Sequence, residues 1–240
     1  MATNLNPTRR IAGERGLYMA GIIVAASVVF AGFARTYYLK HVFGTPALPL
    51  LLHVHGLVMS SWFALLFVQS ALIRTHRVDV HRKLGVAGVV LAALVVIMGV
   101  TVAFYAARHG FSPKAGIPPL AFFAIPLTDM VVFATLVTAG ISMRRRSDYH
   151  RRLMLLASLG ILTAAFARIQ LQFIIDGGIV AAFLLTYTCV IACVVFDTVK
   201  NRRLHPAFGW GAALIIVSWP LRLALSGTAA WMTFAAWVTG

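Results

Sequence analysis

Residues 79–107 run Asp79-Val80-His81-Arg82-Lys83 and then LGVAGVVLAALVVIMGVTVAFYAA from Leu84 to Ala107, 24 residues without a charge. At about 1.5 Å per residue, such a helix is longer than the hydrocarbon core of a bilayer, about 30 Å thick. A basic end followed by an uncharged run of this length reads as a membrane span. Comparable apolar runs recur along the chain, and with this one they fall at Leu17–Tyr38, Leu48–Ile73, Leu84–Ala107, Ile117–Met143, Leu153–Ile175, Ile179–Val199 and Phe208–Leu225. The expected fold is therefore an all-α integral membrane bundle of about seven transmembrane helices, one domain over residues 1–240. The short apolar tail Thr228–Val238, with Trp231 and Trp237, reads as an interfacial helix. The first run is too long for a signal-peptide core and reads as a retained span.

Composition agrees. The chain is 60% hydrophobic and 11% charged, with a mean hydropathy of +0.88; soluble domains carry about 25% charged residues. Its net charge of +15 is distributed by topology. Basic residues cluster at Arg9–Arg15, Arg74–Lys83, Arg144–Arg152 and Lys200–Arg203, on alternate connections, while the intervening connections carry only Lys40, Arg108 and Lys114. The positive-inside rule then places the N-terminus in the cytoplasm and the C-terminus outside. The expected partner of the surface is the lipid bilayer, not nucleic acid.

Two basic connections share a pattern, D-x-H-R-K/R-L, at Asp79–Leu84 and at Asp148–Leu153. One reading makes each Asp a helix N-cap, with the basic residues anchoring the helix end among headgroups. The other brings His81 and His150 together as ligands of one metal or haem near the cytoplasmic face, with His76 and His205 in the same layer.

Ionisable side chains inside spans normally face the bundle interior or a cavity. Arg35, His53, His55, Asp129, Arg168 and Arg222 all fall at or beyond mid-membrane toward the outside. They either neutralise one another, Asp129 against Arg168 or Arg222, or line an outward pocket in which arginines hold an anionic group. His55, Met59, Trp62, Leu66 and Gln69 share one helical face, and Arg168 shares a face with Gln172. Pro126 and Pro220 each precede an ionisable residue inside a span and are expected to kink it. Cys189 and Cys193, one turn apart, read as packing residues. Asp129 is the one acid expected deep in a span. No nucleotide-binding glycine loop, hydrolase elbow or zinc-protease motif occurs, which leaves enzymatic activity open.

The Val80–Gly85 element and the His150–Met154 element, with Arg168 further along, resemble those of an uncharacterised family of bacterial multi-pass membrane proteins. Spans 2–5 are more weakly similar to cytochrome b561-like haem proteins. The resemblance implies a bacterial inner-membrane location and one haem b near the inner face, for which the repeat offers His81 and His150 as candidate ligands, although they lie at helix starts, shallower than the haem ligands of that family. The leading expectation is a redox or cofactor-handling protein, with His55, Arg168 and Arg222 toward a propionate, quinone or other small anion. Two alternatives stand beside it. One is a transporter or ligand-binding protein using an outward pocket of Arg35, His53, His55, Asp129, Arg168, Gln172 and Arg222; the other is an accessory subunit of a larger membrane complex.

Overall fold

The computed structural model describes residues 7–113 and 117–240, with side chains from Gly16 onward. Lys114 and the side chains of Arg9, Arg10 and Arg15 lie outside the described residues. The order is α1 (Pro7–Phe33) continuing as a π-helical turn (Ala34–Tyr38), α2 (Leu50–Arg74), α3 (Val78–Arg108), α4 (Pro119–Ser142), α5 (Ser147–Gly160), α6 (Thr163–Phe166), α7 (Gln172–Asn201), α8 (Pro206–Ser226) and α9 (Ala229–Thr239). No strand occurs among the described residues. Six helices are long and apolar enough to cross a membrane: Gly16–Tyr38, α2, α3, α4, α7 and α8. The chain is an all-α, multi-pass membrane protein.

The expected fifth span, Leu153–Ile175, is not a continuous helix. α5 has 14 residues, about 21 Å, short of the about 30 Å required. The chain then turns at Ile161–Leu162, makes the single turn of α6 and runs on irregularly to Leu171, and residues from Gln172 belong to α7. This broken segment still traverses the bundle. At its start Arg151 stacks on Tyr18 near the beginning of the α1 span, and at its far end the Ala165 backbone lies against Gly32 near the end of α1. Its helical part is packed largely against protein, with Thr163, Ala165 and Phe166 of α6 buried, which favours a break at membrane depth. Seven residues of α5 are buried, packed among α1, α4, α7 and α8. α7 is itself interrupted at Gly178, whose φ of 55° and ψ of −136° suit only glycine.

The core is continuous through the bundle centre. Trp62 on the expected inward stripe of α2 is 1% exposed, donates to Ser158 Oγ on α5 at 3.3 Å and meets Phe133 of α4 edge to face. A second small cluster joins Phe123 of α4, Ala103 and Ala107 of α3, and Trp231 and Ala235 of α9. α9 thus caps the far ends of α3 and α4, fixed by Trp231 Nε1 donating to the Leu120 carbonyl at 2.8 Å and Arg108 Nε donating to the Thr239 carbonyl at 3.0 Å.

Candidate functional site

The connections α2–α3, α4–α5 and α7–α8 meet in one layer, the basic face. Both motif histidines tie back to the preceding helix there. With its nitrogen turned toward His81, the Gln69 amide of α2 donates to His81 Nδ1 at 2.7 Å and to its carbonyl at 3.2 Å, and accepts from Gly85 N at 3.1 Å. His150 Nδ1 pairs with the Gly140 carbonyl of α4 at 2.8 Å. His81 and His150 lie on the same basic face, and the charge of one bears on the other. The tautomers differ, however. His150 donates through Nδ1 and leaves Nε2 as a lone pair, whereas His81 accepts at Nδ1 and carries its hydrogen on Nε2. His150 fits an axial ligand as it stands; His81 fits only with Gln69 turned end for end. Among the described residues, no group of three or more His, Cys, Asp or Glu is placed to hold a metal ion.

The aspartates of the motif are not N-caps. Arg77 and Arg146 occupy those positions without capping bonds, and Asp79 and Asp148 lie inside the first turns. There they still meet the positive end of the helix dipole. Asp148 Oδ2 takes a hydrogen bond from His205 Nε2 at 3.0 Å, while His205 Nδ1 accepts from Ala207 N and caps α8. Partial burial, the largest single influence, acts to raise the Asp148 carboxyl, but the hydrogen bond and charge of His205 together with backbone N–H groups at the helix start outweigh it and hold the carboxyl below the ordinary carboxylate range. His205 is therefore a structural pillar and not a third ligand.

Arg152, expected among the headgroups, is 2% exposed. Its Nη2 reaches Asp197 Oδ1 at 2.6 Å and Oδ2 at 2.9 Å, its Nε reaches Oδ2 at 3.1 Å, and its Nη1 reaches the Asp148 carbonyl at 2.8 Å. Asp197 is thus a second deep acid, hidden in sequence at the end of a long apolar run.

Toward the opposite face the same solution recurs. Arg222 of α8 is ion-paired to Asp129 of α4 and donates to Ser218 Oγ at 2.9 Å. The mutual-neutralisation alternative therefore applies to these two, and Arg222 is not free to hold an exogenous anion. Both prolines sit inside helices that continue past them. Pro220 leaves the Ile216 carbonyl without its helical donor, and Tyr187 Oη of α7 supplies one at 2.8 Å.

The rest of the expected pocket does not assemble as one site. Arg35 is exposed on the π-helical turn and stacks on Phe43 at 5.1 Å. His53 is exposed and faces Tyr37. Gln172 lies beyond the break that follows Arg168 and donates to Asp176 at 2.8 Å.

Arg168 is the exception among the deep arginines. It is half-buried, donates from Nη1 to the Ala164 carbonyl at 2.7 Å and lies 4.9 Å over the Phe33 ring. Unlike Arg152 and Arg222, it has no carboxylate partner among the described residues. On α2, His55 Nδ1 is buried without a hydrogen-bond partner among the described residues.

No protein-family model, curated protein or solved structure matches the chain.

Its chemistry therefore has to be read from these contacts. Sequence reasoning named Asp129 as a partner for Arg222, which the structure pairs with it, but missed Asp197, which pairs with Arg152, and Ser218, which adds a bond to Arg222. For Ser218 the available signal was its place one helical turn before Arg222; Asp197 had none in the neighbourhood of Arg152.

Proposed function

We propose that this protein binds a small anionic ligand inside the membrane, in the half away from the basic face, with Arg168 as the anchoring cation. One observation carries the reading: of three deep arginines, two are matched by aspartates, buried Asp197 and part-buried Asp129, and the third has no carboxylate partner among the described residues. A guanidinium offers five N–H donors, and Arg168 uses one within the protein. It stands where the polypeptide breaks from helix, the arrangement membrane binding sites use to bring backbone and charge to a ligand. Ala164 beside it is exposed, which leaves an approach from that side. Transport and signalling are both served by such a site; a bacterial inner membrane is its proposed location.

The test is a thermal-shift titration of the detergent-purified protein with acetate, glycolate, phosphate and chloride. A ligand at about 100 times its Kd stabilises the folded state by about 2.7 kcal/mol. At least one of these anions is expected to raise Tm saturably, and Arg168→Gln to abolish the rise. Four flat titrations, or an unchanged response in R168Q, would sink the reading.

The placement of His81 and His150 in one layer at the basic face supports a second reading, a redox protein holding haem b near that face. When bound, haem would supply one-electron chemistry; His150 would ligate through Nε2 and His81 after rotation of Gln69. Absorption spectra of oxidised and dithionite-reduced protein, expressed with ample haem, decide it. A Soret band with α and β bands sharpening on reduction supports haem, and a colourless sample excludes it.

A further inference from the structure

We propose that the groove between the Gly16–Tyr38 span and α2 binds a neutral, lipid-soluble phenol, whose hydroxyl donates a hydrogen bond to Tyr38 Oη. The site is separate from the Arg168 anchor and does not depend on it. The groove holds about 530 Å³, within the range of about 300–1,000 Å³ usual for small-molecule sites. Buried Phe63 forms its floor, and Phe30 and Phe67 stand exposed on its rims. Ser27, Tyr38 and Ser60 are its polar lining residues. Tyr38 and Ser60, hydrogen-bonded to each other, mark the end away from the basic face. Tyr38 is delivered there by the π-helical turn Ala34–Tyr38, a departure from α geometry that often marks functional sites, and its ring stacks on Phe30 at 5.3 Å.

The hydroxyl pair selects the occupant. Ser60 Oγ lies 2.7 Å from the Gly56 carbonyl, which can only accept, so the Ser60 hydrogen goes there. Tyr38 Oη, 2.7 Å from Ser60 Oγ, then supplies the hydrogen of the second bond. Both hydrogens are spent inside the protein, and what Tyr38 Oη has left is lone pairs, which can only accept. Ser60 stands about 15 Å along α2 from its Leu50 end, a depth at which a bilayer offers neither water nor headgroup donors. Acyl chains, ketones and ethers bring no hydrogen to such an acceptor; a dissolved hydroxyl compound does. The aromatic walls favour a ring as its body, since aromatic groups gain from stacked and edge-to-face contact beyond the area they bury. Among the described residues no charged side chain lines the groove, so the occupant is neutral.

1-Naphthol and 1-methoxynaphthalene share a ring body and differ in the hydroxyl hydrogen, and they are the probes. Saturable binding is measured by equilibrium dialysis on the protein in nanodiscs, each probe corrected for its partition into empty nanodiscs of the same lipid. Wild type is expected to bind naphthol at least about threefold more tightly than the ether. The double variant Tyr38→Phe, Ser60→Ala keeps the rings, removes both hydroxyls and should bring the ratio to one. Ser60→Ala alone frees the Tyr38 hydrogen, so S60A should bind the ether more tightly than wild type does; should the double variant not fold, S60A decides, because the ratio must narrow there. Saturable binding of neither probe would overturn the site. Equal corrected affinities for wild type would overturn the phenol assignment, and a preference that persists in the double variant would move the bond to Ser27 and overturn the role of Tyr38. None of these outcomes touches the anion reading, which rests on Arg168.

Discussion

Stranding a buried charge is among the most damaging single changes a protein can suffer, at about 3–5 kcal/mol. Asp197→Ala would strand Arg152, which commits three hydrogen bonds to that carboxylate, and thermal melts in detergent should show a large fall in Tm. Replacing both partners, Arg152→Met with Asp197→Leu, should recover most of it, because well-packed apolar residues substitute for such pairs at little cost. Arg168→Met strands nothing, so its Tm should equal or exceed that of wild type. An R168M melt as damaged as D197A would reveal a carboxylate partner for Arg168. Asp148 gives a pH signature. Its carboxyl is held low in the folded state by His205 and backbone N–H groups, so its contribution is present above the ordinary carboxylate range, about pH 4, and is lost as pH falls through the lowered folded value. The Tm difference between wild type and Asp148→Asn should shrink toward zero across that descent. The pairing of Arg152 with Asp197 is invisible to a sequence reading, because 45 residues separate them; that of Arg222 with Asp129, 93 residues apart, could be named only as one of two options. The spans could be read one by one; which faces meet could not.

Helix contacts add constraints of backbone against backbone. Gly32 of α1 lies on the Ala165 carbonyl of the broken crossing, and a Cβ there would collide with main chain. Gly56 of α2 faces the Tyr37 ring, an aromatic side chain able to turn aside. Gly32→Ala should therefore lower stability by about 1–3 kcal/mol, and Gly56→Ala by less, measured as detergent melts side by side. Gly178→Ala should also destabilise, since its φ of 55° is unfavourable to an L side chain. Most elements were legible: the boundaries of α2, α4, α8 and α9 fall within two residues of the apolar runs that announced them. The fifth was not, because hydropathy averages along the chain and does not register where hydrogen bonding stops. Arg168, Gln170 and Gln172 were the local hints, three polar side chains within five residues at the end of an apolar stretch.

At the scale of the molecule, the broken segment preserves the odd number of traverses that charge patterning implies. Thr75 on the basic face and His109 at the opposite end of α3 are both exposed. In a Cys189→Ser, Cys193→Ser background, Thr75→Cys should react with a membrane-impermeant maleimide only in inside-out vesicles, and His109→Cys only in intact cells or spheroplasts. Labelling of both from one side would refute the topology. The fifth crossing also bears on biosynthesis. A segment that is short, broken and carries a buried ion pair gains little from lipid when it first leaves the ribosome, and Asp197, the partner that neutralises Arg152, is synthesised some 45 residues later. Insertion of this segment must then wait for α7, so the bundle is completed by a hand-over between nascent helices instead of strictly one helix after another.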